Sequence, residues 1–348
     1  MAASRRPLAA LAAGALLALV ALGASGCAAP SRASPGAPGA DAPATGETRA
    51  SRAPGDAGGA SAEARAPPPG DGRPSGGAGA PVRLAFAWPP DLQARVTLDH
   101  REWRGSEAGR ARYAHRMVVV PEGRGLRVSV RDAEAEGNTP GLELNVALNE
   151  ALDQIVGRDG TYLRTDGLER AVDLLGADDE ESRASSRLAL ERIAALDWEL
   201  IVGAWAGRSL SPGQPVSYQF PAAVPLLPGV PALLDVEVAL AGPVPCEEGE
   251  GAARCVELTW RASPGPRARA AAVERVQGAR GEGAPPLAVE GLQASMEARL
   301  VAEPDTLLPH RLLVREELRL AVRQPGGDVE EMVDRSEDRY RFARETEL

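Results

Sequence analysis

Three cysteines and three histidines are all that this 348-residue chain offers for thiolate, imidazole or soft-metal chemistry. Cys246 and Cys255 enclose Glu247 to Arg254, a short acidic loop containing glycine, between two strand-like runs. A disulfide there ties the end of a hairpin and contributes about 2.5 kcal/mol by restricting the unfolded chain. The rival is a zinc or redox pair. The spacing is not C-x-x-C, and no histidine is near in sequence to complete a tetrahedral set. The spacing therefore predicts a structural bridge and no metal centre.

The histidines are scattered. His100 and His115 fall opposite each other if a hairpin turns near Gly105 to Glu107. With Asp99 or Glu102 they could then form a metal site or an acid–base pair. The simpler expectation is two polar residues on a partly exposed sheet. His310 follows Pro309 at the start of a strand-like run and has no partner in sequence. The run Asp178-Asp179-Glu180-Glu181 lacks the alternating oxygen ligands of a calcium loop and sits where acidic residues favour a helix start. Gly207-Arg208-Ser209-Leu210-Ser211 fails the G-x-S-x-G pattern at its last position. All 39 basic residues are arginine, which removes a P-loop lysine and a lysine Schiff base. No catalytic residue and no cofactor is predicted, although catalytic groups spread along a chain leave no motif.

Cys27 remains unpaired. Ahead of it, Met1 to Arg6 carries two arginines, Leu8 to Leu22 is an uncharged apolar run of 15 residues, and small residues Gly23 to Gly26 follow. These are the parts of an export signal, and the run is shorter than the roughly 20 residues that span a bilayer. Ala24-Ser25-Gly26-Cys27 resembles the lipobox of bacterial lipoproteins, with Ala24 where leucine is commonest. The resemblance implies diacylglycerol on the Cys27 sulfur, cleavage before Cys27 and acylation of the new amine. It thus implies a partner, the membrane, held through lipid on Cys27. An ordinary secretory signal is the alternative, but it leaves an odd thiol in an oxidising compartment. Ser4-Arg5-Arg6-Pro7-Leu8 also resembles a twin-arginine signal, so the export route stays open. Ala28 rather than Asp after the anchor resembles the sorting signal for the outer membrane.

The elements that must position these residues begin late. Residues 1–26 read as the signal and 27–80 as the lipidated cysteine plus a tether of Ala, Gly, Pro and Ser, with no apolar side chain larger than alanine beyond Cys27 except proline. Such a segment is expected to be disordered and to reach on the order of 40 Å. Residues 81–348 read as one body. Period-two alternation predicts strands around Ala94–Leu98, Tyr113–Val119 and Leu126–Val130, and a hairpin across Gly157 to Gly160. Leu233–Leu240 pairs with Cys255–Trp260. Leu292–Val301, Arg311–Val322 and Val329–Phe342 form a three-strand antiparallel meander. Glu180 to about Trp205 reads as a helix, capped by Ser182 or Ser185, and Arg267–Gln277 as a shorter one. Trp198 and Trp205 share a face of the long helix and fit core packing better than a ligand groove.

The expected fold is α+β, mainly antiparallel sheet with one main helix, a meander that can curl into a half-barrel. In outline this is similar to periplasmic lipoprotein carriers, whose fold shelters an apolar ligand. Aromatics at 3% and a formal charge of −10, or −12 once Arg5 and Arg6 leave with the signal, argue against nucleic acid as a partner. The expected function is a membrane-anchored envelope lipoprotein with a non-enzymatic binding or structural domain, whose partner is an envelope protein or an apolar ligand. A carrier predicts an apolar cavity of several hundred Å³. An envelope hydrolase predicts convergent carboxylates or a histidine of shifted pKa in a cleft.

Overall fold

The computed structural model describes residues 80–247, 254–278, 288–323 and 327–345. The readings of 1–26 as a signal, of Cys27 as a lipid site and of 28–79 as a tether lie outside the described residues. In chain order the elements are β1 (Val82–Arg83), β2 (Gln93–Arg104), β3 (Glu107–Glu122), β4 (Gly125–Gly137), α1 (Leu142–Ala151), β5 (Asp153–Gly157), β6 (Tyr162–Asp166), α2 (Leu168–Leu174) and α3 (Glu180–Trp198). A π-helical turn, Glu199–Gly203, continues α3. Then follow β7 (Ser209–Leu210), β8 (Val216–Val224), β9 (Leu227–Val244), β10 (Cys255–Pro264), α4 (Pro266–Gly278), β11 (Ala288–Ala302), β12 (Pro309–Arg323) and β13 (Val329–Arg344).

Eleven strands make one open antiparallel sheet, ordered β6-β5-β4-β3-β2-β13-β12-β11-β10-β9-β8. Two meanders therefore run outward from a central seam where the last strand, β13, pairs with the first long one, β2. β1 and β7 pair separately. Alternation decides which face is which. On β2 the side chains of Ala94, Val96, Leu98, His100 and Glu102 are buried, and those between them are not. On β12 the buried set is Leu312, Val314, Glu316, Leu318, Leu320 and Val322. The opposite face is solvated and carries cross-strand ion pairs such as Arg315–Glu337 at 2.8 Å and Arg335–Glu317 at 2.8 Å. Pairs this exposed are each worth under about 1 kcal/mol.

The apolar face is covered from two directions. Trp198, Leu200, Val202 and Trp205 enter the main core with Val96 and Leu98 of β2, Leu234 and Val238 of β9, Trp260 of β10 and Val314 of β12. The helix that carries them thus packs against both meanders. Its start is fixed by Asp179, whose carboxylate accepts the backbone N–H of Ser182 at 2.8 Å. Serine at 182 is the donor in this cap, not the capping residue. The π turn adds a residue to the helical repeat just where Leu200 and Val202 must both reach the core. Every buried indole finds an acceptor: Trp88 on the Leu307 carbonyl at 3.0 Å, Trp198 on the Gly160 carbonyl at 2.7 Å, Trp205 on the Leu200 carbonyl at 3.0 Å and Trp260 on the Tyr218 hydroxyl at 3.1 Å. A second apolar cluster lies under α4, where Ala268 and Ala272 meet Leu292, Leu318 and Leu320.

The mainly antiparallel body and the C-terminal three-strand meander match the sequence reading, as does the short helix at α4; one main helix is only a loose description. Among the described residues there are four α-helices, of which α3 is the longest. α1 begins after Gly141 in the left-handed region with no side-chain cap, and α2 has seven residues, also behind a left-handed glycine, Gly167. Neither has the Ser, Thr or Asp start that marks a helix in sequence. None of the described helices is long and apolar enough to cross a membrane.

Candidate functional site

The seam between β12, β13 and β2 carries polar side chains into the apolar face. From Asp334 to Arg339 every residue of β13 is polar, so alternation has no choice but to turn some of them inward. Register then aligns them. Glu316 lies opposite Ser336, and Ser336 opposite Glu102. One row on, Val314 lies opposite Asp338, and Asp338 opposite His100. The next row places Tyr340 against Leu98, and Leu98 against Tyr113 on β3. All these polar groups are buried, Asp338 to 1% exposure and His100 to 4%. Asn145 of α1 is buried too, and Asp197 of α3 is half-buried with one carboxylate oxygen sealed from solvent.

Within the cluster, His100 Nδ1 lies 2.6 Å from Asp338 Oδ1. Glu102 accepts from Arg104 at 2.9 Å. The strand opposite Glu102 has glycine at 109, where an added Cβ would fall 2.5 Å from Glu102 Oε1. Burial alone would lower the His100 imidazole, but its bond to Asp338 and the charges of Asp338 and Glu102 outweigh burial and raise it above its ordinary value. Burial raises the Asp338 carboxyl despite His100. Asp197 and Glu316 are held well above the usual carboxylate range, first by burial and then by the Asp338 charge. Tyr340 is pushed up by burial and by the same carboxylates. Several atoms here have no hydrogen-bond partner among the described residues: His100 Nε2, Asp197 Oδ1, Glu316 Oε2, the Tyr340 hydroxyl and the Asn145 amide. Such groups normally pair when buried, and leaving one unpaired costs about 1–3 kcal/mol. Their concentration at one seam is the strongest departure from a purely packed core.

A cleft of about 160 Å³ reaches this cluster from the side, between α1, α3 and the sheet. Its walls are Met117, Leu148, Leu190, Ile193, Ile201 and Phe342, and its polar groups include Asp197, Tyr340 and His115. Burial and the nearby Arg95 push the His115 imidazole down to about 4. On the solvated face, a wider concavity of about 740 Å³ runs past Trp103 and is walled by arginine and glutamate.

The sequence candidates sort as follows. Cys246 and Cys255 are bonded, with Cα atoms 5.1 Å apart. Cys27 lies outside the described residues. His100 and His115 do not meet: the hairpin turns after Arg104, which pairs His100 with Ala111 and His115 with Val96. Nor is His100 on an exposed face, since its partner comes from β13, 238 residues away in sequence. Trp198 and Trp205 are core. His310 does have partners, because β12 brings it beside the disulfide. The acid cluster was missed; its sequence signals are the unbroken polar run in β13, where a core strand should alternate, and Glu316 in the otherwise apolar row of Leu312, Val314, Leu318 and Leu320.

The described residues thus form an open antiparallel sheet with a helix on its apolar face and a buried acidic seam reached by an apolar cleft. No known protein family and no curated protein matches the chain.

Proposed function

We propose that the chain is a lipid-anchored bacterial envelope protein, held on the outer membrane through Cys27, whose body works by binding. In this reading the open sheet is a half-barrel wrapped on α3, and the ligand is an apolar chain that enters between sheet and helix. The observation that carries it is the cleft: apolar walls from both layers, ending on polar groups of the seam. Its present volume, about 160 Å³, falls below the several hundred Å³ expected of a carrier and below the roughly 300–1,000 Å³ of drug-sized sites. It is near that of an engineered apolar cavity of about 150 Å³ that takes one benzene. A longer chain therefore requires α3 to lift from the sheet.

Two measurements test the proposal. Intact mass of the membrane-extracted protein is expected to fit a chain starting at Cys27 with acyl mass, lost in Cys27→Ala. Unlipidated wild type in the soluble fraction overturns the anchor. For the cleft, 1-octanol is titrated into wild type and Ile193→Trp and followed by calorimetry. Saturable binding by wild type, weakened at least tenfold in the filled variant, is expected. Equal heats from both place the ligand elsewhere.

A hydrolase of envelope material is the second reading, favoured by Asp338 and Glu102 beside His100 and by Glu316 within reach of the Asp338 charge. Those groups lie behind the apolar wall, and a polymer does not fit the cleft as it stands. Loss of a turnover activity in Asp338→Asn with octanol binding intact would favour it over the carrier.

A further inference from the structure

We propose that reduction of the Cys246–Cys255 bridge turns this corner of the sheet into a zinc site, with the two thiolates and His310 as ligands. Both sulfurs and a ring nitrogen of His310 lie within 4.8 Å of one another. Strand register makes the juxtaposition. Cys255 opens β10, its neighbour Val256 pairs with Ala302 at the end of β11, and Ala302 pairs with Pro309 at the start of β12. Cys246 comes two residues after β9, and Arg311 ties β12 to it by donating to the Pro245 carbonyl at 3.2 Å.

Ligand atoms on a tetrahedral zinc, at about 2.3 Å for sulfur and 2.0–2.1 Å for nitrogen, sit roughly 3.5–3.8 Å apart. The imidazole has to close by roughly 1 Å, while the two sulfurs, about 2 Å apart when bonded, must separate to about 3.8 Å, which reduction of the bridge permits. While the bridge is intact its sulfurs are bonded to each other and neither is a thiolate, so the bridge and the metal exclude one another. A dithiol reductant supplies two electrons and two protons, breaks the S–S bond and itself becomes a disulfide. Zinc then displaces the two thiol protons and takes a neutral imidazole. Two thiolates and an imidazole select zinc over calcium or magnesium.

The surroundings suit a bound imidazole. Glu247 Oε1 lies 3.2 Å from Nδ1 of His310, and Glu303 Oε1 lies 3.5 Å from Nε2. Whichever nitrogen takes the metal, the other keeps a carboxylate that fixes the orientation of the ring. The displaced carboxylate stands ready for the fourth position. His310 and Glu247 also line a pocket of about 320 Å³, which gives an ion a way in.

The test uses the full chain carrying Cys27→Ala, so that no third thiol competes. One half is reduced with a phosphine, which becomes the phosphine oxide with oxygen from water, and is then freed of reductant without air. Zn²⁺ is titrated against a chromogenic chelator, and Co²⁺ is used to read thiolate-to-metal charge transfer. One equivalent bound by the reduced chain, none by the bridged chain, and at least tenfold weaker binding in His310→Ala are expected. No zinc on the reduced chain overturns the site; equal affinity in His310→Ala overturns the histidine's place in it. If His310→Ala does not fold, His310→Cys replaces it: cobalt bound with a third thiolate supports the assignment, and an unchanged two-thiolate spectrum overturns it.

Discussion

His100 and Asp338 sit side by side on the paired strands β2 and β13, with Nδ1 and Oδ1 2.6 Å apart and both side chains sealed in the apolar face. The pair spans the seam where β2 and β13 meet, so the groups around it come from widely separated parts of the sequence. Asp197 from α3 and Glu316 from β12 lie close enough to feel the Asp338 charge. An uncompensated carboxylate in this position weakens the fold, and that has measurable consequences.

The first is a pH-dependent cost at Asp197 and Glu316. Their folded pKa values lie well above the unfolded ones, so the folded state holds the proton longer. Stability is therefore untouched below the ordinary carboxylate range and falls as pH rises from there through the folded values. His100, also raised, adds a loss as pH climbs above about 6.5. Asp197→Asn and Glu316→Gln are expected to raise the melting temperature at pH 8 by at least about 2 °C, since removing a buried unpaired charge relieves about 1 kcal/mol or more. At pH 4 each is expected to match wild type. Equal shifts at both pH values would show that the effect is packing.

His115 gives the opposite slope. Its folded pKa of about 4 lies below the unfolded value near 6.5, so the folded state resists protonation. The fold is then destabilised as pH falls from about 6.5 to about 4, by up to about 3 kcal/mol. His115→Asn is expected to flatten this acid limb in urea unfolding measured at pH 7, 5 and 4. A limb as steep as in wild type would assign it to other groups.

These two slopes trace how much was legible in the sequence. Alternation with period two made β10 to β13 readable, because one face is apolar and the other charged. The same alternation puts Glu316 in the row of Leu312, Val314, Leu318 and Leu320, but only the register of Glu316 with Ser336, and of Ser336 with Glu102, brings the acids together. His100 reads as a polar residue on a partly exposed sheet because its partner, Asp338, is 238 positions away. α1 and α2 were unreadable because each begins after a left-handed glycine, not after a capping side chain. The disulfide was legible from two cysteines flanking a short turn, whereas His310 beside it depends on three strand registers acting together.

Asp179 provides a local check on the helix that covers the core. Its carboxylate accepts the Ser182 backbone N–H at 2.8 Å and the Ser182 hydroxyl at 2.6 Å. Asp179→Ala is expected to lower the midpoint of chemical denaturation, and Asp179→Ser to recover most of the loss. A serine variant as weak as alanine would mean that charge near the helix N-terminus, not capping, is what matters.

Gly109 tests whether the buried seam is sterically closed. It lies opposite Glu102 on the central hairpin, and a Cβ there would come 2.5 Å from Oε1 and 2.8 Å from Cγ of Glu102. Glu102 has little freedom to retreat, because it is buried and bonded to Arg104 at 2.9 Å. Gly109→Ala is therefore expected to destabilise the fold by about 1–3 kcal/mol, the usual range for overpacking. The backbone at 109 lies outside the left-handed region, so alanine's lower unfolded-state entropy acts in its favour and the steric term must overcome it. A double-mutant cycle separates the two. In a Glu102→Ala background the clash is gone, and Gly109→Ala should become neutral or mildly stabilising, with a coupling of at least about 1 kcal/mol between the sites. Additive effects would mean that the carboxylate moves aside freely, and that the seam between β2 and β3 has room the distances do not suggest.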